Sequence, residues 1–256
     1  MKNKFNLENK VAIITGASKG IGEAIAISLA ELGATVIVSS RNQDAVEKTA
    51  EKIRSMGFKS EGIACHVGKE DQLVKLVDTV LEKYKRIDIL INNAATNPYY
   101  GPLDKADGGI FDKMMEINVK APFNLANLCF PIMKKNGGGS IINISSVEGL
   151  RPSEYLGIYC ISKSALIMLT KSQAKEWGKY GIRSNAICPG LIKTKFSEGL
   201  WNNEKMLHQV TKELPLGRMA NPDEMASLAC YLASEASSYT TGSVHVSDGG
   251  HMIAGI

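Results

Sequence analysis

Seven short runs rich in β-branched residues recur along the chain, at 11–15, 35–39, 62–65, 87–91, 140–144, 182–187 and 243–246. Segments with apolar side chains at helical spacing lie between them. One follows Asn42 and carries Val46, Thr49, Ala50 and Ile53 before stopping at Gly57; the next carries Leu73, Leu76, Val77, Val80, Leu81 and Tyr84. Continuous apolar runs suit strands buried on both faces. Strict alternation with helices then requires parallel strands joined by right-handed crossovers, which is an α/β doubly wound sheet of about seven strands with helices on both faces. With 256 residues the chain can bury roughly three quarters of its unfolded surface in one core. No linker, internal repeat or low-complexity stretch divides it, so residues 1–256 read as a single domain.

The first run ends in "TGASKGIG", Thr15 to Gly22. Glycines between a strand end and a helix start leave bare backbone and free N–H groups where an anion can approach, and a pyrophosphate fits such a turn. The spacing, with Gly16, Gly20 and Gly22, is neither G-x-G-x-x-G nor a Walker loop, since no G-K-[ST] follows. The second strand separates the two dinucleotides. An enzyme preferring NAD usually carries an acidic residue there, about 20 residues past the loop. This chain has Ser39, Ser40, Arg41 and Asn42. Arg41, with Lys19 approaching from the loop, can instead bind a 2′-phosphate. Two cations and no carboxylate favour NADP(H).

In "YCISK", Tyr159 and Lys163 are four residues apart and share one helix face. An ammonium beside a phenol favours the phenolate, so the tyrosine is expected to titrate below its usual value of about 10 and to serve as a general acid and base. This helix follows "IINISS", whose strand ends at the carboxyl edge where open α/β sheets bind ligands.

Taken together, these motifs resemble the short-chain dehydrogenase/reductase family from about Leu7 to the C-terminus, which implies a Rossmann-type fold. The family's glycine motif corresponds to 15–22, and its N-N-A-G motif to Asn92, Asn93, Ala94 and Ala95, with alanine in the last place. Its catalytic tetrad falls on Asn118, Ser146, Tyr159 and Lys163. The resemblance implies hydride transfer between nicotinamide and a carbonyl or secondary alcohol. Tyr159 would exchange the proton, Ser146 support the developing charge, Lys163 also hold the nicotinamide ribose, and Asn118 anchor a relay water. It further implies cofactor contacts from Gly16, Ser18, Lys19, Gly20, Ile21, Gly22, Ser40, Arg41, Asn42, His66, Val67, Asn93, Ala94, Ala95, Pro189, Gly190, Ile192 and Thr194. Where many relatives use aspartate to accept from the adenine amino group, this chain has His66, whose neutral imidazole can accept one hydrogen bond. The stretches "VSSRNQ", "NPYYGP" and "CPGLIKTKFS" resemble the NADP-dependent carbonyl and retinal reductase branch. A 3-oxoacyl-carrier-protein reductase and a gluconate-type sugar dehydrogenase are the alternatives. A sugar-nucleotide epimerase or dehydratase and a non-catalytic NADP-binding protein are remote.

Composition removes other classes. The content is 44% hydrophobic and 22% charged, and the net charge of +4 comes from scattered lysines, which fit a solvated surface rather than a nucleic-acid partner. No run is long enough to span a bilayer, residues 1–10 lack a signal-peptide core, and the final Ala-Gly-Ile lacks a peroxisomal S-K-L address. The expectation is a cytoplasmic protein without membrane contact. Cys65, Cys129, Cys160, Cys188 and Cys230 are odd in number and include no C-x-x-C, so they read as reduced packing residues. His208, His245 and His251 do not form a metal constellation with Asp248.

Substrate choice is expected in 191–214, where Phe196, Leu200, Leu207 and Val210 share a helical face beside Trp201, with Tyr99 and Tyr100 as a second wall. The helical segments at 110–133 and 157–177 carry more apolar residues than one face against a sheet requires. The family pairs these helices across two-fold axes, which implies a homotetramer.

Overall fold

The computed structural model describes residues 3–254, apart from the side chains of residues 200 and 206. Leu200 and the last two residues therefore lie outside the described set. The first half alternates β1 (Val11–Thr15), α1 (Gly20–Glu31), β2 (Thr35–Ser40), α2 (Gln43–Ser55), β3 (Ser60–Ala64), α3 (Glu70–Tyr84) and β4 (Ile89–Asn92). There follow α4 (Gly108–Met115), α5 (Ala121–Lys135), β5 (Gly139–Ile144), α6 (Gly157–Trp177), β6 (Ile182–Pro189), α7 (Glu198–Trp201), α8 (Glu204–Lys212), α9 (Pro222–Ala233) and β7 (Val244–Ser247).

All seven strands form one sheet in the order β3-β2-β1-β4-β5-β6-β7, and every pair is parallel. Strand β1 is buried throughout, and its side chains alternate between faces as a strand's period of two requires. Ala12 and Ile14 face a core built with Ile25 and Leu29 of α1, Val46 of α2 and Ala229 of α9. Val11 and Ile13 face the opposite core, with Leu76 of α3 and Leu125 of α5. The chain runs outward from β1 to β3 and then returns to place β4 on the other side of β1. That reversal opens a crevice at the carboxyl edge of the sheet, the switch point where such sheets take ligands.

The strand boundaries differ from the sequence expectation by one to two residues, with β3 starting at Ser60 and β6 reaching Pro189. The larger difference concerns 110–133. That helix starts at Gly108, where Asp107 accepts from Ile110 N at 3.0 Å, and a π turn over Glu116–Lys120 interrupts it between α4 and α5. A π turn widens the helix by one residue and is frequent at functional sites. It holds Asn118.

Candidate functional site

The glycine turn is built as a cradle. Gly16 and Gly20 have φ of +62° and +61°, a left-handed backbone that favours glycine. A Cβ on Gly22 would stand 2.5 Å from both Asn93 Nδ2 and the Gly16 carbonyl oxygen. Asn93 explains the crowding: its Nδ2 donates to the carbonyls of Thr15 and Gly16 at 3.0 Å each. Thr15 Oγ1 in turn accepts from the main-chain N–H groups of Asn93 and Ala94 at 3.0 and 3.1 Å. Asn93 thus acts as a latch that closes the β4 edge onto the turn. Lys19, the N-cap of α1, is extended and makes no side-chain cap, so the first N–H groups of the helix are left without a side-chain partner. Thr194, from beyond β6, brings its methyl group to 3.3 Å from where a Gly20 Cβ would lie, so the cradle faces the segment after β6. Ser18 and Ile21 are half-buried at its rim.

At the end of β2, Ser39 is buried with an unpartnered hydroxyl, Ser40 is half-buried, and Arg41 is exposed, as is Lys19. No described side chain pairs with either cation. Asn42 has a structural duty, since its side-chain oxygen accepts from Ala45 N at 2.8 Å and caps α2. After β3, His66 departs from the expectation. Its Nδ1 accepts from Gly68 N at 3.1 Å, so in the neutral ring the proton sits on Nε2 and no acceptor is left for an adenine amino group. Val67 is half-buried beside it. Ala95 is exposed and outside the left-handed region, so alanine meets no backbone obstacle where relatives carry glycine.

The four tetrad candidates sit at the carboxyl edges of β4 and β5. Ser146 follows β5 and is within hydrogen-bond reach of the Tyr159 phenol. Its Oγ accepts from Glu148 N at 3.2 Å. Lys163, 2% exposed, places Nζ 5.6 Å from the centre of the Tyr159 ring. Asn118 is fully engaged: Oδ1 accepts from Thr96 N at 2.8 Å, and Nδ2 donates to the Thr96 carbonyl and to Ser162 Oγ at 2.9 and 3.0 Å. Its amide therefore braces the loop after β4 and the Tyr159 helix.

The electrostatics reverse one expectation. Tyr159 is not lowered by Lys163; burial pushes the phenol above its ordinary range, and only the hydrogen bond with Ser146 opposes this. Burial also pushes Lys163 down to about 8. Nζ donates to the Ile144 main-chain carbonyl at 2.8 Å and stands over the Tyr159 ring, 5.6 Å from its centre. This contact left no trace in the sequence, because a carbonyl acceptor belongs to every residue. Cys188, buried on β6, feels the Lys163 charge but is still pushed up by burial.

Beyond β6, Pro189 is buried and Gly190 donates its N–H to the Ser247 carbonyl at 3.0 Å. Ile192 is buried and forms a bridge to Ala220. The Thr194 carbonyl accepts from Trp201 Nε1 at 2.9 Å. The expected single helical face over 191–214 is instead a 3-10 turn followed by the short helices α7 and α8. Phe196, in that turn, reaches a ring-centre distance of 6.1 Å from Tyr159. In the loop after β4, Tyr100 lies 5.6 Å from Tyr155, ring centre to ring centre, and Tyr99 donates to the Pro102 carbonyl. Among the described residues no group of three His, Cys, Asp or Glu gathers as a metal site, and no helix is long and apolar enough to cross a membrane.

Residues 16–252 match the family model described as enoyl-(acyl carrier protein) reductase. Dehydrogenase/reductase SDR family member 4 of Caenorhabditis elegans is 42% identical over 253 residues, covering 97% of each chain. The protein of that name in Oryctolagus cuniculus is 41% identical over 244 residues, covering 95% of this chain and 94% of its own. Among solved structures, a gluconate 5-dehydrogenase from Burkholderia cenocepacia, in complex with NADP and tartrate, superposes with a TM-score of 0.94 at 32% identity, covering 98% of both chains. The chain belongs to the short-chain dehydrogenase/reductase family of oxidoreductases.

Proposed function

We propose that this protein is an NADP(H)-dependent carbonyl reductase that also oxidises the corresponding secondary alcohols, with Tyr159 as the group that gives and takes the proton. The observation that carries the reading is the meeting of Ser146, Tyr159 and Lys163 at the switch-point crevice, facing the glycine cradle. The cradle fits a pyrophosphate, because side chains are excluded where backbone N–H groups converge. Arg41 and Lys19 would hold the 2′-phosphate, and the NADP in the Burkholderia relative supports the same choice.

When bound, the nicotinamide exchanges hydride with the carbon of the carbonyl or alcohol. The chain's own residues handle the proton. Held neutral by burial, Tyr159 is a proton donor at physiological pH, as reduction requires. Ser146 accepts from Glu148 N–H and keeps its own hydrogen for the crevice, where it acts on the Tyr159 phenol and can support the charge that develops on a substrate oxygen. Lys163 uses one of its three donors on Ile144, and the others remain for the ribose.

Phe196 sets an aromatic ring 6.1 Å from that of Tyr159, which favours an apolar ketone or aldehyde over a sugar acid or an acyl carrier. A carbonyl panel run with NADPH and NADH side by side tests this. Turnover of apolar carbonyls with NADPH is the expected result, and turnover of gluconate-type substrates alone would redirect it.

We assign the protein to the cytosol as a homotetramer. Five free thiols support the reducing compartment. For the assembly, Phe123 on α5 and Ile161 and Met168 on α6 stand 48%, 44% and 60% exposed, apolar faces that two-fold pairing would cover.

A further inference from the structure

Phe196 stands 59% exposed in the 3-10 turn Lys195–Ser197, yet its ring centre lies 6.1 Å from that of Tyr159. A ring so little buried is held in place by its backbone rather than by packing around it. The root of that backbone is fixed: Ile192 bridges to Ala220, and Lys193 N donates to the Ala220 carbonyl at 2.8 Å. Beyond the root the segment is held by its own side chains. Ser197 Oγ accepts from Thr194 N at 3.1 Å and donates to the Ile192 carbonyl. Trp201, at the end of α7, reaches back seven residues, and its Nε1 donates to the Thr194 carbonyl at 2.9 Å. The Lys193 ammonium stands over the same indole, 5.2 Å from the ring centre, within the range of a cation–π contact. The half-buried indole thereby grips both residues that precede the turn.

We propose that Trp201 is a positioning residue for substrate: by holding the Thr194 carbonyl it fixes where Phe196 stands against Tyr159, and so how tightly an apolar carbonyl compound is bound. The inference rests on the carbonyl reductase activity proposed above. The proton-transfer groups stand on other elements, Ser146 after β5 and Tyr159 and Lys163 on α6. Losing the indole donor should therefore be felt in KM and not in kcat. Without it, the Thr194 carbonyl keeps only Ser197, whose N–H lies at 3.2 Å and whose hydroxyl lies at 3.1 Å. That hydroxyl also serves Ile192, so the turn gains freedom and Phe196 loses its fixed place. A ring that has to be ordered again when substrate arrives lowers the affinity, because side-chain ordering opposes binding.

Trp201→Phe keeps a flat ring beneath Lys193 and deletes the donor. With saturating NADPH, KM for an aromatic ketone should rise about three- to tenfold, the scale of one hydrogen bond, while kcat stays within about twofold. A double-mutant cycle separates positioning from general support. In a Phe196→Ala background, Trp201→Phe should change KM by less than about twofold, because the ring it positions is gone. Hydrogen exchange of the cofactor-free protein gives a readout without turnover: amides of 194–201 should exchange at least roughly tenfold faster in Trp201→Phe, and those of α6 at the unmodified rate. Should Trp201→Phe fail to fold, Trp201→Leu, which also lacks the donor, carries the same expectations. An unchanged KM, an equal rise in KM with and without Phe196, or faster exchange spread over the whole chain would overturn the proposal. Absence of carbonyl turnover by the unmodified protein would instead sink the proposed function, and the substrate role of Trp201 with it.

Discussion

The ammonium of Lys163 donates to the carbonyl of Ile144, the last residue of β5, across 2.8 Å in a site closed to solvent. One hydrogen bond does not replace the hydration of a full charge, and burial brings the lysine from its ordinary 10.5 to about 8. The folded value lies below the unfolded one, so between about pH 8 and 10.5 the unfolded chain binds more protons and stability rises with pH. Below about pH 8 the cost of the buried charge is fully present. Thermal unfolding of the cofactor-free protein, compared with Lys163→Met at each pH, should show a difference that grows in favour of the unmodified protein across that window. A flat difference would mean that the ammonium is not buried as described.

Arg41 is exposed at the end of β2 with no carboxylate beside it. Replacing it with alanine should weaken NADPH by about 1.5–3 kcal/mol, the scale of a hydrogen bond to a charged group, and leave NADH nearly unchanged. Competitive titration reads both. Tighter binding of NADH than NADPH by the unmodified protein would refute the cofactor assignment.

Gly22 has no room for a methyl group, because Asn93 and the Gly16 carbonyl both stand 2.5 Å from its would-be Cβ. Gly22→Ala should open the latch between β4 and the glycine turn, costing about 1–3 kcal/mol of stability as overpacking does. NADPH binding should weaken at least roughly tenfold, the equivalent of about 1.4 kcal/mol. Calorimetry of unfolding and of binding should show the two losses together.

Met168 is 60% exposed on α6, on the side away from the sheet. Light scattering of the unmodified protein should give a mass near four times the single-chain 27.7 kDa. Met168→Asp should split the assembly by placing a charge in an apolar contact. A single-chain mass for the unmodified protein would refute the tetramer.

The features legible in the sequence were those with local periodicity or fixed spacing. Alternating runs gave the parallel sheet, and the placement of Gly16, Gly20 and Gly22 gave the cradle. The four-residue step from Tyr159 to Lys163 put both on one helix face. What stayed hidden depends on tertiary partners. A π turn adds one residue to a helix without changing its apolar character, so Glu116–Lys120 read as ordinary helix. The Nδ1 contact of His66 and the link from Lys163 to Ile144 both use main-chain groups that carry no residue signature. For Tyr159, the sign depends on desolvation outweighing a nearby cation, and burial is decided by the whole fold.

The central claim is that Tyr159 transfers the proton. Tyr159→Phe keeps the ring and deletes the hydroxyl. NADPH consumption with an active carbonyl should fall by about 10²–10⁴-fold, the usual contribution of a positioned acid. NADPH affinity, titrated in the same preparation, should stay within about twofold, a change below roughly half a kcal/mol. Retention of more than about a tenth of kcat, far above the loss a positioned acid predicts, would contradict the account.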